Sequence, residues 1–271
     1  MRMNSFRLFL ITIALISVPA AAQDRPTYLN IVEIEMPKFD NMAYHENPEG
    51  QEAREITFDG KKRTYQLYSP TFNMQPRAAI LLLHGSNRTG VSLVEKWKHI
   101  ADQNDLILIG PTALGKNWHM KDDSAAFIDA LIEDVQKEYA IDPERLYLFG
   151  HSNGAVYSLY LSIVRSEKFA ATALHSGMLR SNHDMKLIKE AKRKIPIAFF
   201  IGEDDDVFAV DDVRMSAQAF AAHQHPTSLT IFKDHDHWYY DASDFINNMV
   251  WGFLSRYSLV KEIPEEEGPF D

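Results

Sequence analysis

The stretch Gly150-His151-Ser152-Asn153-Gly154 sets a serine between two glycines in G-x-S-x-G spacing. A serine alcohol is a poor nucleophile at neutral pH. Acyl transfer through it needs a histidine base, an acid that orients the base, and N–H donors for the tetrahedral oxyanion. The pattern gains weight from its surroundings. The apolar run Leu146–Phe149 reads as a strand just before it, and Ala155, Val156, Leu159, Tyr160 and Ile163 fall at helical spacing just after it. Such a turn exposes the serine at a sheet edge and points the amino end of a helix at the developing negative charge.

Beyond Ser152 the acid is expected before the histidine. Asp205 lies three residues past Gly202, with Val207, Phe208 and Val210 to anchor its loop, and Asp204 and Asp206 compete with it. His237 follows the run ending at Phe232, and Trp238-Tyr239-Tyr240 after it would shield an imidazole and line a pocket; His235 is the competing base. Oxyanion donors are expected from the backbone of Asn153, the residue after the serine, and of Ser86 in His84-Gly85-Ser86-Asn87. His84 reads as a loop-bonding residue, and His151 and His175 as packed histidines near the serine. Trp118, Trp238 and Tyr239 are candidate walls of a substrate pocket, the plain alternative being that they pack under loops. Asp122 and Asp123 read as helix caps, and Met178–Lys194 fits a small lid or an ordinary surface helix.

The elements that would carry these residues follow a β–α–β rhythm. Glu55–Phe58 and Thr64–Tyr68 flank Asp59-Gly60 as an opening hairpin. Continuous apolar runs at Ala79–Leu83, Leu106–Ile109, Leu146–Phe149, Phe169–Leu174, Ile197–Ile201 and Leu229–Phe232 suit strands buried on both faces. Helical spacing recurs at Phe127, Ile128, Leu131, Ile132, Val135 and Tyr139, and at Phe245, Met249 and Phe253. The expectation is an α/β fold: a mostly parallel central sheet with helices on both faces, in one domain. In such sheets the reactive residues lie past the carboxyl ends of the strands, where these motifs gather.

The chain has 271 residues, no cysteine and a net charge of −10. That excludes a disulfide scaffold, a thiolate metal site and a cysteine nucleophile, and the absence of any basic block argues against nucleic-acid binding. Arg2 and Arg7, the apolar run Leu8–Val18, and small residues at Ala20 and Ala22 form the pattern of an export signal cleaved after Ala22. The uncharged stretch Leu8–Ala22 is shorter than the ~20 residues that span a bilayer. The expected organisation is a signal peptide at 1–22, an acidic, irregular leader at 23–54, and a catalytic domain at 55–271, secreted or periplasmic.

His84-Gly85, the Gly150–Gly154 motif, Ile141-Asp142-Pro143-Glu144-Arg145-Leu146-Tyr147, and Phe169-Ala170-Ala171 with His175-Ser176-Gly177 resemble the secreted esterases grouped with polyhydroxybutyrate depolymerases and feruloyl or acetylxylan esterases. The resemblance runs from about Thr64 to Phe253. It implies an α/β-hydrolase fold and carboxylic-ester hydrolysis on a small-molecule or polymer substrate, with Ser152, Asp205 and His237 as triad and no cofactor or metal. Three other readings stay open. Asp234-His235-Asp236-His237 has the makings of a zinc site; the scaffold also suits a non-catalytic binding protein; and the same triad serves a peptidase or a thioesterase.

Overall fold

The computed structural model describes residues 28–40, 42–72 and 74–259. The expected export signal lies outside them. Nine strands form one sheet: β1 (Leu29–Glu35), β2 (Glu52–Phe58), β3 (Lys61–Tyr68), β4 (Arg77–Leu83), β5 (Ile107–Pro111), β6 (Ile141–His151), β7 (Thr172–His175), β8 (Ile197–Gly202) and β9 (Thr227–Lys233). The helices are α1 (Gly90–Asn104), α2 (Ala125–Gln136), α3 (Asn153–Val164), α4 (Asn182–Leu187), α5 (Val210–Ala222) and α6 (Ser243–Leu254). Strand order is β1-β9-β8-β7-β6-β4-β5-β3-β2, parallel except where β3 meets β2 and β5. The expected single-domain α/β fold is thus observed.

Alternation along the strands assigns side chains to the two faces. Ile80, Leu82, Phe149, Phe200 and Phe232 pack with Trp97 and Ile100 of α1 and Ile246 and Val250 of α6. Leu81, Leu83 and Leu148 turn the other way, against α2 and against Tyr157 and Leu161 of α3. Phe199, Ile201 and Ile231 join that second face against α5. The β2–β3 hairpin closes through Asp59 and Gly60, both at positive φ (48° and 70°), as a two-residue primed turn requires.

The leader is a correction to the sequence reading. Residues Leu29–Glu35 are not irregular; they form β1, in parallel register with β9 so that Glu35 faces Lys233. Lys233 also reaches Glu33 at 3.6 Å and Glu35 at 3.9 Å. The acidic charge that suggested a solvated leader is what the edge strand turns toward this lysine. Farther along, Tyr44 stacks on Tyr240 with ring centroids 4.1 Å apart, and Glu46 accepts hydrogen bonds from the Thr89 N–H and hydroxyl, both at 2.7 Å, at the start of α1. The cap of α2 is Ser124 rather than either preceding aspartate. Asp123 is instead fully buried, paired with Arg63 at 2.5 Å and accepting the N–H groups of Leu114 and His119. Removing one partner of such a buried pair costs about 3–5 kcal/mol.

Candidate active site

β6 runs out of the sheet at His151, and α3 begins at Asn153. Ser152 lies between them at φ 55°, ψ −121°, a strained conformation held by the elements on either side and by its N–H donating to the His175 carbonyl at 2.9 Å. The turn is tight because Gly154 has no side chain: a Cβ there would lie 1.9 Å from the Leu83 carbonyl oxygen.

Two loops bring the acid and base to this serine. His237 Nε2 is 3.0 Å from Ser152 Oγ, and His237 Nδ1 is 2.9 and 3.1 Å from the Asp205 carboxylate oxygens. The loops after β8 and β9 meet because Gly202 is bare, a Cβ there falling 2.1 Å from the His235 carbonyl oxygen. The Asp205 carboxylate is wholly buried and accepts two further N–H donors, from Val207 at 2.9 Å and Phe208 at 2.8 Å. Burial opposes its charge. The His237 contact, the Phe208 N–H and the neighbouring Ser176 hydroxyl outweigh burial and hold the carboxyl below its usual range. Asp204 and Asp206, the competing acids, are exposed. His235, the competing base, turns away: its Nε2 lies 3.3 Å from His175 Nε2.

Asn153 opens α3, where first-turn N–H groups have no helical acceptor. Its side chain accepts the Trp118 N–H at 2.6 Å. Ser86 is exposed and follows Gly85, whose Cα faces Ser152 closely enough that a Cβ would stand 3.4 Å from the serine Cβ. His84 ties this loop down: Nε2 accepts the Ala113 N–H at 3.0 Å, leaving Nδ1 to donate to the Gly85 carbonyl at 2.7 Å, and burial lowers its pKa.

Two of the three pocket candidates, Trp118 and Tyr239, are buried. Trp118 is 5% exposed, donates its indole N–H to the His84 carbonyl at 2.9 Å and stacks on Tyr157, so it braces the loop. Tyr239 is fully buried, its hydroxyl donating to Asn247 Oδ1 at 2.6 Å and its ring stacked on His151. Both rings are held by hydrogen bonds on the frame side, which sequence alone does not reveal. Trp238 is partly exposed beside Arg88, whose guanidinium carbon lies 5.0 Å from the Tyr240 ring centre and 5.9 Å from that of Trp238.

Behind His237 runs a row of imidazoles. His151 Nδ1 is 3.0 Å from His175 Nδ1, and His175 Nε2 continues to His235. Burial first, and then a neighbouring imidazole (His237 for His151, His151 for His175), push the pKa values of His151 and His175 well down; His235 is also lowered by burial. Asp234, His235, Asp236 and His237 do not converge, and among the described residues no group of three or more such side chains could hold a metal ion. Ser176, at φ 56° beside Asp205, and Glu46 at the start of α1 were not assigned roles from sequence. The His175-Ser176-Gly177 cluster at the end of β7 was the available signal for the first, and none was available for the second.

Residues 116–248 match the phospholipase/carboxylesterase family. The chain is 27% identical over 161 residues to a bifunctional acetylxylan esterase/xylanase of Neocallimastix patriciarum, a match covering 57% of this chain and 23% of that protein. It is 31% identical over 134 residues to a probable feruloyl esterase C of Aspergillus niger, covering 46% of this chain and 50% of that one. The chain thus spans half or less of the length of these relatives. An S-formylglutathione hydrolase from Agrobacterium tumefaciens superposes with a TM-score of 0.61 at 17% identity, over 78% of this chain and 98% of the other. No helix among the described residues is long and apolar enough to cross a membrane. The sheet order and these likenesses agree that the chain has the α/β-hydrolase fold.

Proposed function

We propose that the protein is a serine carboxylic-ester hydrolase working through an acyl-enzyme. The observation that carries the reading is the unbroken line Ser152 Oγ–His237–Asp205, with links of 3.0 and 2.9 Å. His237 Nε2 takes the Ser152 proton as Oγ bonds to the ester carbonyl carbon. The carbonyl π electrons move to oxygen, where the N–H groups of Asn153 and Ser86 receive the charge. The tetrahedral adduct collapses, the C–O bond to the alcohol breaks, and His237 protonates the departing oxygen. Water then attacks the acyl-enzyme, giving its proton to His237, which returns it to Ser152 as the carboxylic acid leaves. Asp205 fixes the imidazole tautomer and offsets the positive charge that His237 carries between these transfers.

The relatives' names point to feruloyl, acetyl-sugar and hydroxyalkanoate esters as substrates to try. Hydrolysis of a p-nitrophenyl ester panel by the parent, with Ser152→Ala as control, tests the mechanism. Covalent labelling by a fluorophosphonate, mapped to Ser152 by mass spectrometry, is expected; equal turnover by the alanine variant would refute the assignment. We read residues 1–22 as an export signal, so exported protein is expected to begin at Gln23 on N-terminal sequencing.

A further inference from the structure

An arginine beside the site has no acid to answer it. Arg88 is half-buried, and its guanidinium lies against three rings. The guanidinium carbon is 5.0 Å from the ring centre of Tyr240, 5.1 Å from that of Tyr44 and 5.9 Å from that of Trp238. It donates an N–H to the Tyr44 carbonyl at 3.3 Å and stands beside the Tyr240 hydroxyl. A guanidinium carries five N–H donors, and contact with ring faces uses none of them. Among the described residues no carboxylate forms an ion pair with this one. The acids on the surrounding elements hold other partners. Glu46 accepts the Thr89 N–H and hydroxyl, Glu95 the Tyr44 hydroxyl and the Asn47 N–H, and Asp236 the Trp238 N–H. In a chain of net charge −10, this is a cation left open to an anion from outside.

Two segments of the site converge on it. The Arg88 N–H donates to the Gly85 carbonyl at 3.3 Å, closing a four-residue turn over the exposed Ser86 and Asn87, with Asn87 at φ 58°. The Asn87 N–H pins that turn to the loop after β5 by donating to the Lys116 carbonyl at 2.8 Å. A Cβ on Gly85 would stand 3.4 Å from the Ser152 Cβ. The ends of such a turn lie less than about 7 Å apart, so the Arg88 Cα is within about 12 Å of the serine Cβ. From the other side, Trp238 directly follows His237 in the chain. That spacing suits a substrate group several bonds from the scissile carbonyl.

We propose that Arg88 is a specificity-determining residue whose guanidinium, set among Tyr44, Trp238 and Tyr240, binds a carboxylate carried by the ester substrate. The inference rests on Ser152 being the nucleophile. Two matched pairs of esters place the charge on one half of the substrate or the other. The p-nitrophenyl hemiester of adipate against p-nitrophenyl hexanoate puts it on the acyl half; 4-acetoxybenzoate against 4-acetoxybenzamide puts it on the alcohol half. In at least one pair the parent is expected to favour the anion roughly tenfold or more in kcat/KM, the scale of a hydrogen bond to a charged group. Arg88→Gln is expected to erase that preference, and Arg88→Lys to keep part of it, having the charge without the fork. Raising the salt to about 0.5 M is expected to shrink the preference of the parent. A residue that only braced the turn would lose anionic and neutral esters alike. Equal fractional losses in Arg88→Gln, or a parent with no preference for the anion in either pair, overturn the proposal. Fluorophosphonate labelling of Ser152 reports whether each variant is folded; should Arg88→Gln fail it, Arg88→Lys and the salt series on the parent carry the test. No turnover of any ester together with no labelling of the parent overturns the nucleophile, and the role of Arg88 with it.

Discussion

His237 and the row His151–His175–His235 are built from the same side chain within a few ångströms of one another, with the His151 and His237 rings 5.3 Å apart. They differ in their partners. His237 has a carboxylate at 2.9 Å on one nitrogen and a hydroxyl at 3.0 Å on the other, with a fifth of its side chain open to solvent. The three others are buried, and the row His151–His175–His235 is linked ring to ring. A proton arriving on any of them enters a low-dielectric site, where burial outweighs the pull of Asp205 on His151 and of Asp236 and Asp205 on His235. What separates a base from a strut is therefore the neighbour. The row links β6, which presents Ser152, to β7 and to the loop that presents His237, so it acts as a cross-brace under the reacting groups.

The largest expected effect tests this division directly. His237→Ala is expected to lower kcat/KM by roughly 10⁴-fold or more, as loss of a triad member does. His175→Phe is expected to lower it by less than about 10²-fold, the scale of a misplaced rather than a missing group. Steady-state kinetics on one p-nitrophenyl ester would compare the two, and equal losses would break the division. Asp205→Asn comes next, expected to lower kcat about 10⁴-fold by removing the acceptor that fixes the His237 tautomer. Asp204→Asn and Asp206→Asn, on exposed side chains, are expected to leave kcat nearly unchanged.

Stability against pH sharpens the comparison from the other side. A histidine kept neutral by burial leaves the unfolded chain binding the extra proton. Stability is then full above the ordinary imidazole value near 6.5 and falls as pH drops below it, by up to about 1.4 kcal/mol per pH unit for each such group, until the folded-state value is reached. His151, His175 and His235 all act in this sense, and His225, pushed down to about 4 mainly by burial, adds the same slope between 6.5 and 4. Asp205 acts in a lower window, its contribution being present above about 3.8 and lost below it. Thermal melts from pH 8 to 5 should therefore show Tm falling below pH 6.5, with a shallower slope in His175→Phe; an unchanged slope would mean that His175 titrates normally. The smallest expected effect concerns the two tryptophans. Trp118→Phe loses its bond to the His84 carbonyl and is expected to cost about 1 kcal/mol in denaturant unfolding, whereas Trp238→Phe is expected to leave unfolding nearly untouched.

Much of the molecule was legible without coordinates because its signals are local. The apolar runs at Ala79–Leu83, Ile197–Ile201 and Leu229–Phe232 lie within strands β4, β8 and β9, and the glycine-flanked serine falls at a strand-to-helix turn. Helices α1 and α5 were not singled out; their mixed composition, with charges on the exposed side, blurs the apolar stripe that α2 shows clearly. β1 was hidden because its pairing partner lies almost 200 residues later and its own charges read as solvated. Trp118 and Tyr239 looked like pocket walls by residue type, yet their polar ends found acceptors inside the frame.

Sequence by itself determined which groups were available and in what order: a serine primed for a tight turn, an aspartate and a histidine after two later strands, and no thiol to compete. These are properties of residue type and short-range spacing, and they survive without a fold. Choosing Asp205 among three adjacent aspartates and His237 over His235 depended on which loops cross and which side chains are buried. Such selection is long-range: contacts 32 and 85 residues apart in the chain close the line from Asp205 through His237 to Ser152, and they exist only once the sheet has brought the ends of β6, β8 and β9 together.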